Sequence, residues 1–236
     1  MKLLLSAFFF LALVFNVSAQ KVVSDPNAEP RQVGSFKAIH VGGAFEVYIT
    51  QGSTEGLAVS AREKDEVSKI KTVVENGVLK ISYDQKGGWW PKDRKLKAYI
   101  AVKDLVEIEA GGASEIEIDG SLSAENLKIE LNGASDLQGK VFVSGIFDVE
   151  LNGASDLKIS GNAREMKIDA SGASKMKAFD FTASVCNAKA SGASSIHLTV
   201  EKELSAKLTG ASSLRYDGSA VIKEIHTSGA SSIAKR

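Results

Sequence analysis

Three observations in this 236-residue sequence predict an all-β fold, a parallel β-helix with coils of about 19–20 residues. The first is a tripeptide, Gly-Ala-Ser, that recurs at Gly112, Gly133, Gly153, Gly172, Gly192, Gly210 and Gly229 in steps of 21, 20, 19, 20, 18 and 19. Self-similarity at a near-fixed period marks a chain built from stacked, equivalent units. The second is period-two alternation counted back from each glycine. Two residues before it stand Ala110, Leu131, Leu151, Ala170, Ala190, Leu208 and Thr227. Four before stand Ile108, Ile129, Val149, Ile168, Ala188, Ala206 and Ile225, and six before stand Val106, Leu127, Phe147, Met166, Cys186, Leu204 and Lys223. These columns are expected to point inward, while the polar columns between them, such as Glu109, Glu130, Glu150, Asp169, Lys189, Lys207 and His226, point outward. The third is size: a coil of this length holds two or three short strands, and stacking coils about 4.8 Å apart pairs every strand with its equivalents.

Taken in order, the chain opens with Met1-Lys2, an apolar run from Leu3 to Phe15 and small residues up to Ala19, which reads as a secretory signal peptide over 1–19. The run is too short for a comfortable membrane span, so the chain is expected to be exported and not membrane-spanning. Residues 20–33 hold two prolines and no apolar periodicity and read as a flexible leader. A single β-helix domain then occupies 34–236, with irregular coils over 34–104 and regular repeat coils over 105–236. Within the irregular part, Phe36, Ile39 and Val41 lead through Gly42-Gly43-Ala44 into Phe45, Val47 and Ile49, a degenerate copy of the repeat. Residues 62–71 are charged enough for a helical turn, and Asn76-Gly77 between apolar runs marks a hairpin. At the repeated corner, glycine supplies a positive φ, alanine is expected to fill the narrow inside, and serine to bond turn backbone.

Formal charge is zero overall, which gives no argument for nucleic acid or a membrane surface as partner. Its distribution is uneven: residues 20–103 carry +4, residues 104–170 carry −9 and residues 171–236 carry +4, so the middle of the stack presents an acidic block. Three residues past the glycine, Glu115, Asp136 and Asp156 stack before Lys175. These oxygen ligands are the candidate Ca²⁺ site, although nothing in the sequence closes a cage around them. Two positions on, Gln138, Lys158, Lys177, His197 and Arg215 form a basic stripe. Trp89 and Trp90 lie in a Gly-Gly- and Pro-bounded loop flanked by Lys86, Lys92, Arg94 and Lys95, where aromatic faces beside cations suit a glycan, although rings of this size more readily cover the open end or side of the core. Trp89, Trp90, Lys158, Lys177 and Arg215 are therefore the candidate ligand-binding residues. His40, His197 and His226 show no metal-ligand spacing, and Cys186 falls in an inward column as a small buried hydrophobe. No catalytic residue and no cofactor is expected.

The opening from Phe36 to Ile49, the Leu79–Tyr83 strand and the run of Gly-Ala-Ser corners resemble the bacterial secreted family of auto-transporter adhesins, head domain, over roughly residues 34–233. The resemblance implies a right-handed parallel β-helix, an association with Bacteroidetes-type bacteria, and adhesion without a recognised catalytic set. The sequence ends at Ala234-Lys235-Arg236 with no membrane-anchor segment, unlike true autotransporters. The expected function is thus a secreted, non-enzymatic adhesin or cell-envelope module taking a glycan or a cell-surface protein as partner, located in the periplasm, at the cell surface or outside the cell. Two alternatives are a lyase-like polysaccharide enzyme using Lys158 beside Asp136 and Asp156, and a purely structural envelope protein. The open edge of the last coil invites association of copies through the ends.

Overall fold

The computed structural model describes residues 25–84 and 95–236. The expected signal peptide and both tryptophans, Trp89 and Trp90, lie outside the described residues. Extended, alternating segments dominate what is described, and they join into one sheet that winds around a single core as a β-helix of about six turns. The first regular coil comprises β8 (Glu107–Gly112), β9 (Glu115–Asp119) and β10 (Leu122–Ala124). It is followed by β11 (Leu127–Leu131), β12 (Asp136–Leu151), β13 (Asp156–Ala170), β14 (Lys175–Ala190), β15 (Ser195–Leu208), β16 (Ser213–Asp217), β17 (Val221–Thr227) and β18 (Ser232–Lys235). Every pairing among these is parallel, with Leu137 opposite Leu157, Leu157 opposite Met176 and Met176 opposite Ile196. Unequal glycine steps are absorbed between the straight stretches, where the register shifts from Val143 to Ile146 and from Ala183 to Val185, so the corners themselves stay aligned.

The irregular half is a coil plus a cap. β2 (Ala38–Gly43) and β3 (Phe45–Gln51) lie parallel on β8 and β9 with Gly43 opposite Gly112, so residues 38–51 are the degenerate repeat that the sequence suggests. The chain then leaves the stack and comes back on its other side. β6 (Val78–Tyr83) pairs with β2, and β7 (Leu96–Val102) with β3, placing these later strands beneath the earlier ones. Beyond them the pairing turns antiparallel. β5 (Ile70–Glu75) folds onto β6 through Asn76-Gly77, both at positive φ (53° and 78°), as a two-residue hairpin requires. β4 (Gly56–Ser60) lies on β7, and α1 (Lys64–Val67) is the expected helical turn between them. β1 (Glu29–Arg31) pairs antiparallel with β4, while Asn27 Nδ2 donates to Ala61 O (3.1 Å) and Arg31 donates to Val67 O (2.9 Å). The described end of the expected flexible leader is therefore tied into the cap, because the edge of β4 would otherwise be left unpaired.

The inward columns form the core: Ile108, Ile129, Val149, Leu127, Phe147, Met166 and Cys186 are buried, and the Phe147 and Phe181 rings meet at 5.4 Å between centroids. Four column assignments fail, among them Ile225, which is 37 % exposed in the last coil. Val106 is 48 % exposed and Leu105 is buried in its place, because β8 begins only at Glu107 and the alternation restarts there. Lys223 is exposed because a register shift after Leu204 seats Ile222 opposite that residue. Thr227 is exposed because β17 belongs to the last coil, with no strand of the described chain above it.

The corner also differs from the expectation. The glycine and the alanine that follows it both lie on the outside, and the serine two residues past the glycine points in. Ser114, Ser135, Ser155, Ser174, Ser194 and Ser212 are 0–1 % exposed. A buried hydroxyl needs a partner, and each finds one on the backbone: Ser155 Oγ donates to Asn152 O (2.6 Å) and stands 3.1 Å from Leu131 O of the coil below. The glycine has φ of 69–83° at all seven corners, and the following alanine N–H donates to the glycine carbonyl one coil down, as in Ala154 N to Gly133 O (2.7 Å). A Cβ on Gly153 would lie 2.5 Å from that oxygen.

Gly153→Val is expected to destabilise the fold by about 2–4 kcal/mol, from positive-φ strain plus the backbone clash. The neighbouring Ala154→Val, on the exposed side, should stay within about 0.5 kcal/mol of wild type. Urea unfolding of both variants checks this, and equal losses would refute the corner geometry.

Candidate functional site

The straight stretch after each corner presents two outward columns, each continuous through the stack because parallel register places equivalent residues side by side about 4.8 Å apart. One column runs Lys97, Glu46, Glu115, Asp136, Asp156, Lys175. The other runs Tyr99, Tyr48, Glu117, Gln138, Lys158, Lys177, His197, Arg215. The fold thus adds Glu46 to the acidic column, from a coil whose corner lacks the tripeptide, and extends the basic stripe with a tyrosine pair stacked at 5.3 Å and 12°. Together the columns grade from aromatic through acidic to basic along one face.

At the basic end the structure builds a platform. Phe179 of β14 stacks on His197 of β15 (4.9 Å, 13°), and the Arg236 guanidinium lies over the Phe179 ring at 4.8 Å. Thr199 Oγ1 donates to Phe179 O (2.8 Å), holding that backbone where the register between β14 and β15 slips after Ala178. Both rings are half-buried, and Lys158, Lys177 and Arg215 are exposed beside them in the same column as His197. Burial first, then the Arg215 and Lys177 charges, hold the His197 imidazole below the usual histidine range. The cations around the stacked rings can pair with carboxylate or sulfate groups, and the exposed parts of the rings can pack on an apolar sugar face.

Lys158, Lys177 and Arg215 are therefore brought together as the sequence suggests, whereas Phe179 and Arg236 are missed by it. A signal existed: Phe179 stands seven residues past Gly172, at an outward offset where the other coils carry Asp119, Lys140, Ser160, Thr199, Asp217 and Arg236. The acidic residues are also adjacent, but Asp156 is taken by Lys177 (Nζ to Oδ2 2.8 Å), not by Lys158 as the lyase-like arrangement needs. Among the described residues, the carboxylates of Glu115, Asp136 and Asp156 do not converge as a metal's ligands would; the cluster that does is His40, Glu107 and Glu109, whose ligand atoms lie within 4.8 Å of one another. The histidine that showed no local ligand spacing finds its partners through the stack. Cys186 is fully buried, and burial pushes its thiol up to about 12, which removes it as a nucleophile at neutral pH. The serine column is internal, and the exposed positions at the corners are the glycine and alanine ladders.

Solved structures share this architecture. A Bacteroides fragilis protein described as a putative adhesin matches at a TM-score of 0.80 and 23% identity, covering 89% of this chain and 96% of that one. A Parabacteroides distasonis protein described as a putative lipid binding protein matches at 0.68 and 18%, covering 90% and 98%. A Parabacteroides merdae protein described as a putative adhesin matches at 0.64 and 19%, covering 89% and 95%. At these identities the likeness concerns the fold. No curated protein sequence matches. The model of the family described as "Putative auto-transporter adhesin, head GIN domain" matches residues 35–220, most of the chain and all of its regular coils but the last, and the chain belongs to that family.

Proposed function

We propose that this chain is an exported, non-enzymatic adhesin module that binds anionic glycans on the basic end of its graded face. The observation that carries the reading is the Phe179–His197 stack edged by Lys158, Lys177, Arg215 and Arg236. Family membership supports an adhesin-like role, and the signal-peptide pattern of residues 1–19 supports export. Trp89 and Trp90, which lie outside the described residues, are further proposed ligand-binding residues. A polysaccharide-active enzyme is disfavoured by the pairing of Asp156 with Lys177, which withdraws the carboxylate from Lys158.

An acidic polysaccharide such as a polyuronate is the probe. Phe179→Ala should weaken its binding at least about tenfold, or about 1.4 kcal/mol, and Lys177→Ala with Arg215→Ala should flatten its salt dependence. Gln138→Ala should leave both unchanged. Depolymerisation of the probe in the presence of calcium, abolished by Lys158→Ala, would overturn the non-enzymatic reading, and full binding by Phe179→Ala would overturn the platform.

His197 supplies a pH readout. Its folded-state pKa is depressed, so protonation favours the unfolded chain and the histidine's contribution to stability, present above the unfolded value near 6.5, is lost as pH falls through the folded value. NMR titration is expected to place it below 6.5 in the free protein and to move it upward when the anionic glycan is bound, since a neighbouring negative charge favours the imidazolium. A pKa unmoved by saturating polyuronate would place the glycan elsewhere.

Self-association through the ends belongs to the same reading. One end of the described stack is capped by the antiparallel strands β1, β4 and β5, whereas β17 at the other end exposes Val221 (63 %), Ile222 (38 %) and Ile225 (37 %). Two copies meeting there would pair edges that otherwise stay open. Sedimentation is expected to show a concentration-dependent dimer that Ile225→Lys dissolves, and a strict monomer at all concentrations would refute the association.

A further inference from the structure

We propose that His40, Glu107 and Glu109 form a binding site for a divalent cation of the zinc type, on the outward face of the stretch that leads into the corners. The three residues are distant in sequence and meet only because β2 lies parallel on β8, which sets His40 opposite Glu109 and Ala38 opposite Glu107. His40 Nε2 is 3.4 Å from Glu107 Oε1, and His40 Nδ1 is 3.2 Å from Glu109 Oε2. Zinc bonds of about 2.0–2.2 Å to nitrogen and oxygen in a tetrahedron separate its ligand atoms by roughly 3.3–3.5 Å. The Nε2–Glu107 separation is of that size, while Glu109 stands beside the other ring nitrogen, Nδ1.

Two further observations point to a ligand. Nε2 is buried and makes no hydrogen bond, although a carboxylate oxygen is within reach: the two groups are near but not aligned. A buried nitrogen left in this way is costly, and a bound cation would satisfy it. The second is charge. One coil further, in the same two columns, the carboxylates of Glu130 and Glu150 are bridged by Lys128 at 2.9 and 3.1 Å. Among the described residues, the ion pairs of Glu107 and Glu109 are with His40. Lys80, on the other side of His40, has its ammonium held by Glu75 at 2.7 Å. A dication thus supplies in this coil the charge that Lys128 supplies in the next.

The donor set decides the class of ion. An imidazole nitrogen with two carboxylates suits zinc and its transition-metal neighbours, whereas calcium and magnesium take oxygen ligands. A cation seated on Nε2 takes Glu107 close to where it stands and Glu109 by a turn of its carboxylate, 39 % exposed and free to move, with water completing the shell.

The test is calorimetric titration of the tag-free full chain with ZnCl₂ at neutral pH. One site is expected, weakened at least tenfold by His40→Gln and by Glu109→Gln and unchanged by Asp136→Asn in the separate acidic column. Should a variant fail to fold, the wild-type histidine ring resonances give the answer: ZnCl₂ is expected to move those of His40 and not those of His197 or His226. No heat and no ring shift at roughly 1 mM ZnCl₂, shifts confined to His197 or His226, or binding untouched by Glu109→Gln would each overturn the site.

Discussion

The close approach of backbone to backbone at the corners is the constraint on which the rest of this structure depends. At each Gly-Ala-Ser corner an alanine N–H meets the glycine carbonyl of the previous coil at 2.7–2.8 Å, and the glycine sits at a positive φ with no room for a Cβ. Because only glycine meets both conditions, the corner repeats faithfully while the residues around it vary. Coil lengths vary as well, but the register shifts that absorb this variation fall between the straight stretches. Columns on either side of a corner therefore stay aligned through the stack.

Alignment of that kind makes surface chemistry additive along the axis. A single exposed lysine or ring means little, but the same outward position repeated every 4.8 Å or so becomes a strip with its own gradient of charge and aromaticity. The acidic middle is tolerated since it is interrupted: Lys177 takes Asp156, Lys128 takes Glu130 and Glu150, and His40 stands between Glu107 and Glu109. Beyond the acidic run on the first face, cations accumulate around the Phe179–His197 stack. The two proposed sites draw on the same device, side chains brought together by stacking, on different faces and with different chemistry.

The two ends of the helix are treated unequally. β6 and β7 precede β2 and β3 in the stack although they follow them in the chain, and antiparallel β4, β5 and β1 then close that end. Antiparallel pairing suits a cap because it ends the repeat: it offers the next coil neither the spacing nor the direction that a parallel strand would. At the other end β17 and β18 keep the parallel edge, and apolar side chains that would be inward in any other coil are half in solvent.

The sequence by itself determined the period, the parallel stack and the inward columns of residues 105–214. All of these follow from alternation and one repeated turn, which are local properties that can be counted. Where counting failed, a local break or the open last coil was the cause: a strand starting one residue late moved Val106 outward, a register shift put Ile222 where Lys223 was expected, and β17 at the end of the stack leaves Ile225 and Thr227 exposed. The corner is the reverse of the sequence reading: alanine is expected inside, whereas the serine is the buried residue and the alanine lies outside with the glycine. Only the tertiary structure decided which coil adjoins which. The stacking order of the first hundred residues, the meeting of His40 with Glu107 and Glu109, and the placing of Arg236 over Phe179 depend on contacts between segments far apart in the chain. Chain order carries no direct signal for such contacts: any two strands with apolar inner faces can be neighbours, and closure of the core as a whole selects the pair.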